Sequence, residues 1–323
     1  RIKYEELFMY VLKINYLKQK MSDDSTAIER NLDKDKLDKF IKGLPFELTL
    51  DQDKAVNDII NDLSIKKRMN RLLEGDVGSG KTIVALIAIY ANYLSKYQSA
   101  LMAPTEILAN QHYEDAKKIF AKYKLNMALL TSSTSNKDKK EIYKGLEDGS
   151  IDLVIGTHSL IQDAVKYKKL GLVITDEQHR FGVNQRDTLK SKGLSPDVLT
   201  MTATPIPRTY ALTIYGDMDI SIIKEKPAGR KEIKTTVLKF SELDKVISSI
   251  EEEVKNGHQV YVVAPLIEES ESDLNDVNTI YDLLSKNLKD IRIDILHGKM
   301  KNVDKDKVIN NFKEGNLDLI IST

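Results

Sequence analysis

The chain has 323 residues, about twice a typical ~150-residue domain, so two domains are expected. Its 49 Lys plus Arg balance 49 Asp plus Glu, which excludes a uniformly basic protein that coats nucleic acid by bulk attraction; any polyanion site must be a local arrangement of donors. With 41% hydrophobic and 30% charged residues it has too much apolar material for disorder, and with no cysteine it has no disulfide framework, thiolate metal site or cysteine nucleophile.

Residues 1–45 are polar and lysine-rich, with Leu7, Tyr10, Val11, Ile14 and Leu17 at helical spacing on one face. A helix, a Ser/Asp-rich break at 22–25 and a second helix over 36–41 are predicted, ended by Pro45. From Leu48 the text alternates short apolar runs with amphipathic stretches. Strands are predicted at 71–73, 99–102, 127–130, 153–155, 172–175 and 198–201, with helices at 83–94 and 107–122 among them. Apolar strands without period-two alternation, separated by helices, argue for a parallel sheet covered on both faces. The charged stretch 224–234 carries Pro227 and Gly229 and reads as a linker. Beyond it come a strand at 234–239, a helix at 241–256, a strand at 260–264, a helix at 279–288, a strand at 292–296, a helix at 302–314 and a strand at 317–322. The expected organisation is therefore α/β: a helical segment over 1–45, a first lobe over 46–228, and a second lobe over 229–323 that stops mid-fold. No apolar run reaches the ~20 residues of a membrane span and no signal-peptide pattern opens the chain, so a reducing, cytoplasmic setting is expected.

Gly75-Asp76-Val77-Gly78-Ser79-Gly80-Lys81-Thr82 fits G-x-x-x-x-G-K-[ST] between a predicted strand and a predicted helix. Gly75, Gly78, Ser79 and Gly80 let successive N–H groups turn inward, and the helix N-terminus adds its positive end. Lys81 supplies a cation for the β and γ phosphates of a nucleotide, and Thr82 a hydroxyl for Mg²⁺. Asp176-Glu177-Gln178-His179 follows the apolar run 172–175. Carboxylates at a strand's C-terminal end face the ligand crevice of an open α/β sheet. Asp176 suits Mg²⁺ and Glu177 suits orienting or deprotonating water. The Met201-Thr202-Ala203-Thr204-Pro205 loop offers two hydroxyls toward Glu177 or His179. Phe46 is either a core anchor or a ring that stacks on adenine, and Gln52 carries an amide able to pair with the base edge.

Five segments together carry a resemblance: RLLEGDVGSGKT (71–82), LMAPTEILANQH (101–112), LVIGTHSLIQ (153–162), DEQHRFGVNQR (176–186) and LTMTATPIPRT (199–209). They resemble the motor of superfamily 2 nucleic-acid helicases. VVAPLIEESE (262–271) and LHGKM (296–300) extend the likeness, and DEQHRFGV and APLIEESE favour the RecG family of branch-migrating bacterial DNA helicases over the transcription-repair coupling translocases, which usually carry a second Glu where this chain has Gln178. The resemblance implies two RecA-like lobes, the second incomplete, and ATP and Mg²⁺ as cofactors. It implies branched DNA (replication forks and Holliday junctions) as partner, in recombination and repair, with the protein acting as a monomer. Lys81, Asp176 and Glu177 become the catalytic group, with Phe46 and Gln52 reading adenine. Gln178, His179, Thr202 and Thr204 become coupling residues. Pro104, Thr105 and Glu106, with Gly156, Thr157 and His158, match loops that contact the DNA backbone. On the residues alone, those Pro-Thr and Gly-Thr steps are equally plain strand-to-helix turns that offer donors to phosphate. Thr131-Ser132-Ser133 stands where that family has a Gly. The family's arginine-bearing motif and its N-terminal wedge domain are not found in this sequence. A nucleotide-gated binding module with little turnover and a metabolic P-loop kinase are the competing expectations, the latter disfavoured by the second lobe.

Overall fold

A computed structural model of the chain describes residues 2–22, 27–28, 30–177, 188–189, 191–193, 195–204, 218–225, 233–264 and 272–322. The chain divides into two compact units, Arg1–Lys231 and Glu232–Thr323.

The first unit opens with α1 (Ile2–Ser22), α2 (Lys34–Lys42) and α3 (Leu50–Ser64). Strand and helix then alternate: β1 (Asn70–Gly75), α4 (Lys81–Leu94), β2 (Gln98–Met102), α5 (Glu106–Phe120), β3 (Met127–Leu130), α6 (Asn136–Asp148), β4 (Leu153–Gly156), β5 (Leu170–Asp176), β6 (Asp197–Thr202) and β7 (Asp219–Ile223). The seven strands form one sheet in the order β3-β4-β2-β5-β6-β1-β7, and every ladder is parallel. All strand C-termini therefore lie along one edge. Every residue of β2, β4, β5 and β6 is buried, because helices or loops cover both faces and no polar face remains.

One face carries the larger core, in which α4 is apolar on all sides and buried from Ile83 to Asn92. Phe40 of α2 stacks on Tyr90 of α4 at 4.1 Å and on Phe120 of α5 at 5.7 Å, tying three helices to that face. The opposite face packs Leu146 of α6 with Leu160, Val165 and Leu189.

The N-terminal segment joins the sheet through Arg30. Its guanidinium donates to Asn92 Oδ1 at 3.0 Å, to the Gly171 carbonyl at 2.7 Å and to Asp197 Oδ2. Asp197 in turn accepts from the Met69 amide at 2.6 Å. Gly171, Asp197 and Met69 stand at the starts of β5, β6 and β1, the edge opposite the strand C-termini.

The second unit holds α7 (Leu243–Lys255), β8 (Val260–Val263), α8 (Ser272–Asn287), β9 (Ile293–Leu296), α9 (Asn302–Lys313) and β10 (Leu319–Ser322). Its strands form a parallel sheet in the order β8-β10-β9, with β10 fully paired on both sides.

Three expectations differ from this structure. Residues 234–239 form no strand: the segment is irregular, Val237 is 92% exposed, and among the described residues no strand pairs with it. β7 was not anticipated; its DISII text is short and carries an Asp, and it becomes a strand by pairing with β1 at the sheet edge. The α1 helix forms, but Leu7, Tyr10 and Val11, expected on a packing face, are exposed, as are Phe8, Met9 and Leu12. Apolar residues surround that helix rather than lining one side. The linker stretch 224–234 falls mostly outside the described residues.

Candidate nucleotide-binding site

The phosphate-binding loop runs from the end of β1 into α4. Four helices of this unit carry side-chain N-caps: Asp33 for α2, Thr49 for α3, Thr105 for α5 and Ser135 for α6. α4 has none: its N-cap is Gly80, at φ +87°. The first-turn amides of a helix have no intrahelical acceptor, so in α4 they remain donors for something else. The cradle has no room for side chains. A Cβ at Gly75 would lie 2.5 Å from Ser79 Oγ, and one at Gly80 would lie 2.3 Å from Gln52 Nε2. Ser79 Oγ is itself buried without a hydrogen-bond partner.

Lys81 Nζ donates to the carbonyls of Gly75 at 2.7 Å and Asp76 at 3.0 Å, so the ammonium lies over the loop. Burial pushes its pKa below the usual lysine value, and the charges of Asp176, Glu177 and Asp76 act against that push. Those carboxylates therefore stand within electrostatic reach of Lys81. Asp176 ends β5, paired in register with Met201 of β6, and is buried. Glu177 follows in a left-handed conformation at φ +50°, which is uncommon for a residue with a side chain and turns the carboxylate out of the strand path. Its amide donates to the Met201 carbonyl at 3.0 Å, and its Oε1 accepts from the Ala203 amide at 3.2 Å. The Thr202–Thr204 loop thus meets Glu177 through a backbone N–H. Its hydroxyls bond each other at 2.7 Å, rather than Glu177; His179, the other partner the sequence offered, lies outside the described residues. Because β5, β6 and β1 are neighbours, residues 75–82, 176–177 and 202–204 share one stretch of the sheet's C-terminal edge. Gln178 and His179 lie outside the described residues.

Gln52 is buried and closes a capping box with Thr49: Thr49 N donates to its Oε1 at 3.0 Å while its own amide donates to Thr49 Oγ1 at 3.3 Å. Its Nε2 donates to the Ser79 carbonyl at 2.8 Å, joining α3 to the phosphate loop. Phe46 is 48% exposed, which rules out a core anchor, and it lines an open groove of about 620 Å³ with Leu44, Pro45 and Leu48.

On the other half of the same edge, Pro104–Glu106 follow β2, Gly156–His158 follow β4 and the 131–134 loop follows β3. Thr105 and His158 are exposed. Thr105 caps α5 by accepting from the Leu108 amide at 3.3 Å. A Cβ at Gly156 would lie 2.1 Å from the Leu130 carbonyl, so the close β3–β4 approach there requires glycine. Glu106 turns to the neighbouring loop, accepting from the Ser132 hydroxyl and from the Ser133 amide at 3.2 Å. Burial raises the Glu106 carboxyl, but the bonds from Ser132 and Ser133 outweigh it and hold the group below its usual value.

Sequence reasoning missed two residues here. His112 on α5 bonds Asp176, with Nε2 to Oδ2 at 2.8 Å. Asp51 accepts from the amides of Lys224 at 2.8 Å and Glu225 at 2.9 Å, fixing the exit of β7 beside the turn that carries Gln52. The only local signal for His112 was a polar residue inside the buried stripe Ala109, Ala116 and Phe120. Among the described residues no three His, Cys, Asp or Glu side chains converge as a metal site. At this edge Thr82 and Asp176 offer a hydroxyl and a carboxylate, hard oxygen donors of the kind that suit Mg²⁺.

A glycine cradle before a helix, two carboxylates at a neighbouring strand end and a threonine loop at the next lie together on this edge, and the chain belongs to the DEAD/DEAH box helicase family, whose profile matches residues 49–213. The helicase conserved C-terminal domain matches residues 238–323. Within that class the chain is similar over its whole length to ATP-dependent DNA helicase RecG: 47% identical over 325 residues to the Bacillus subtilis protein, covering 100% of this chain and 48% of that one. The Staphylococcus epidermidis RecG is 49% identical over 322 residues, covering 99% of this chain and 47% of the relative. A solved structure of RecG bound to a three-way DNA junction superposes with a TM-score of 0.81 at 42% identity, covering 99% of this chain and 42% of that one. The chain thus spans about half the length of these relatives.

Proposed function

We propose that this chain is the ATP-driven motor of a RecG-type DNA helicase, acting on branched DNA such as forks and Holliday junctions in recombination and repair. The observation that carries this reading is the convergence of Lys81, Asp176, Glu177 and Ala203 N–H on one stretch of sheet edge, in a chain similar to RecG from end to end.

In this reading the uncapped amides of α4 and the Lys81 ammonium hold the β and γ phosphates of ATP, while Phe46 and Gln52 hold adenine. Thr82 and Asp176 would hold Mg²⁺, whose chemistry there would be to offset charge developing on the phosphoryl oxygens. Glu177 orients the attacking water and accepts its proton. Its carboxylate is bonded to the Ala203 amide, so a change in Glu177 is felt directly by the Thr202–Thr204 loop. The loops after β2, β3 and β4 meet the DNA backbone through hydroxyl and amide donors, which suits a chain of zero net charge and implies no base preference.

ATP turnover measured with forked, single-stranded and linear duplex DNA tests this. Lys81→Ala is expected to abolish nucleotide binding while the far-UV spectrum and melt stay those of wild type. Equal nucleotide affinity in that variant overturns the assignment.

A further inference from the structure

We infer that His112 is a positioning residue for Asp176, holding one carboxylate oxygen so that the other is presented to the nucleotide-bound divalent cation. The inference rests on the nucleotide site proposed above. It begins from packing. The inward stripe of α5 is Ala109, His112, Ala116 and Phe120, at intervals of three and four residues. Three of the four join the apolar core of that sheet face, and an imidazole among them needs a reason, because a buried polar ring is unfavourable unless bonded. His112 has one such bond. Nε2 lies 2.8 Å from Asp176 Oδ2 with both side chains nearly buried, whereas Nδ1 is buried with no partner. The ring is therefore aimed at a single group, and that group is the acid at the end of β5.

The geometry then assigns the two oxygens of Asp176. Oδ2 accepts from His112, and no side chain among the described residues bonds Oδ1. His112 of α5 holds Oδ2, and Asp176 ends β5 on the same stretch of sheet edge as residues 75–82, close enough for its charge to act on Lys81. A carboxylate free to rotate about its last torsion would offer either oxygen, or both, to a cation. Pinning one through a helix-borne N–H removes that freedom before the ligand arrives, and such outer-shell partners are typically worth ~10–100-fold in metal affinity.

The test is Mn²⁺ uptake by the full 323-residue chain with saturating ADP, followed by electron paramagnetic resonance, alongside ADP affinity in EDTA. His112→Phe keeps the packing and removes the donor; it is expected to weaken Mn²⁺ binding ~10–100-fold while leaving metal-free ADP affinity within about twofold of wild type. His112→Gln places an amide N–H near the position of Nε2 and should restore most of the metal affinity, whereas His112→Asn, too short to reach, should not. If the Phe variant fails to fold, the Gln–Asn comparison decides. Wild-type Mn²⁺ affinity in His112→Phe, or in His112→Asn, overturns the assignment, as does a Gln variant no better than Asn. A wild-type chain that binds no ADP defeats the nucleotide-site reading and this inference together; one that binds Mn²⁺ and ADP as well without the donor defeats only the role of His112.

Discussion

Replacing Arg30 by methionine is expected to destabilise the first unit by about 3–5 kcal/mol, the usual effect of removing one partner from a buried ion pair. The burial supports that range over a surface-pair value: the two side chains are 0% and 3% exposed, so no water replaces the lost guanidinium. Arg30→Met leaves the Asp197 carboxylate buried with only the Met69 amide as donor, and removes the donor to Asn92 Oδ1 and the Gly171 carbonyl. Burial already raises the Asp197 carboxyl above its usual value against the opposing charge of Arg30; without Arg30 it is raised further and takes up a proton instead. At roughly 2–4 °C per kcal/mol for a unit of this size, the melt should fall by roughly 6–20 °C. The double variant Arg30→Met, Asp197→Asn removes the stranded charge and should recover at least about 1 kcal/mol of the loss, the signature of coupling in a double-mutant cycle. Because the network sits at the strand N-termini, opposite the phosphate cradle, ADP affinity below the melt should stay unchanged. A loss under about 1 kcal/mol in the single variant, or a double variant additive in its two parts, would refute a charge-pinned N-terminal segment.

Further outcomes follow from the same geometry. Gln52→Ala removes the bond to the Ser79 carbonyl and its half of the α3 capping box, about 1 kcal/mol each, so ADP affinity should fall at least about fivefold and the melt should drop by a few degrees; titration with a fluorescent ADP analogue and a thermal melt read the two. Gly80→Ala places a Cβ 2.3 Å from Gln52 Nε2 and forces a side chain to φ +87°, about 1–2 kcal/mol of strain, so it should weaken ADP binding more than Gln52→Ala and also lower the melt. Stability should decline in acid. The amides of Glu225 and Lys224 hold the Asp51 carboxyl below its usual value, and the Arg292 side chain does the same for Asp318. For a carboxyl whose folded pKa is depressed, stability is fully present above the unfolded pKa of about 4 and is lost as pH falls through the lower folded value. Melts should therefore drop below about pH 4, and Asp51→Asn should shallow that drop; an unchanged acid limb counts against the Asp51 contacts.

Local pattern reported the parts of this protein whose physics is local. Strands at 98–102 and 153–156 were legible because burial on both faces favours apolar runs, the edge strand at 127–130 because its four residues are all apolar, and residues 75–82 because that loop needs glycine at fixed spacing. The missing strand at 234–239 and the unforeseen β7 fail for one reason: both are short segments whose state depends on whether an edge is available to pair with, and composition does not encode that. The polar pairs were illegible for a different reason. Arg30 meets Asp197 across 167 residues and His112 meets Asp176 across 64, so neither pair leaves a periodic trace.

What the sequence does carry in such cases is the exception inside a pattern. His112 interrupts an otherwise apolar helical stripe, and Gln52 sits on the buried side of α3 among Ala55, Val56 and Ile59. Each points to the strands' C-terminal edge, one bonding the Asp176 carboxylate and the other the Ser79 carbonyl of the 75–82 loop. Two buried polar residues on separate helices reach the same edge from the same side of the sheet because α3, α4 and α5 all contribute to the core on that face. An inward polar residue near the C-terminal end of such a helix meets the opposite edge instead, as Asn92 of α4 does in bonding Arg30. For a helix that begins where a strand has just reached its C-terminal end, as α5 does, an inward polar residue in the first two turns is therefore a sequence-level pointer to that edge, whereas α3, which follows no strand, reaches it because Gln52 in its first turn bonds the Ser79 carbonyl.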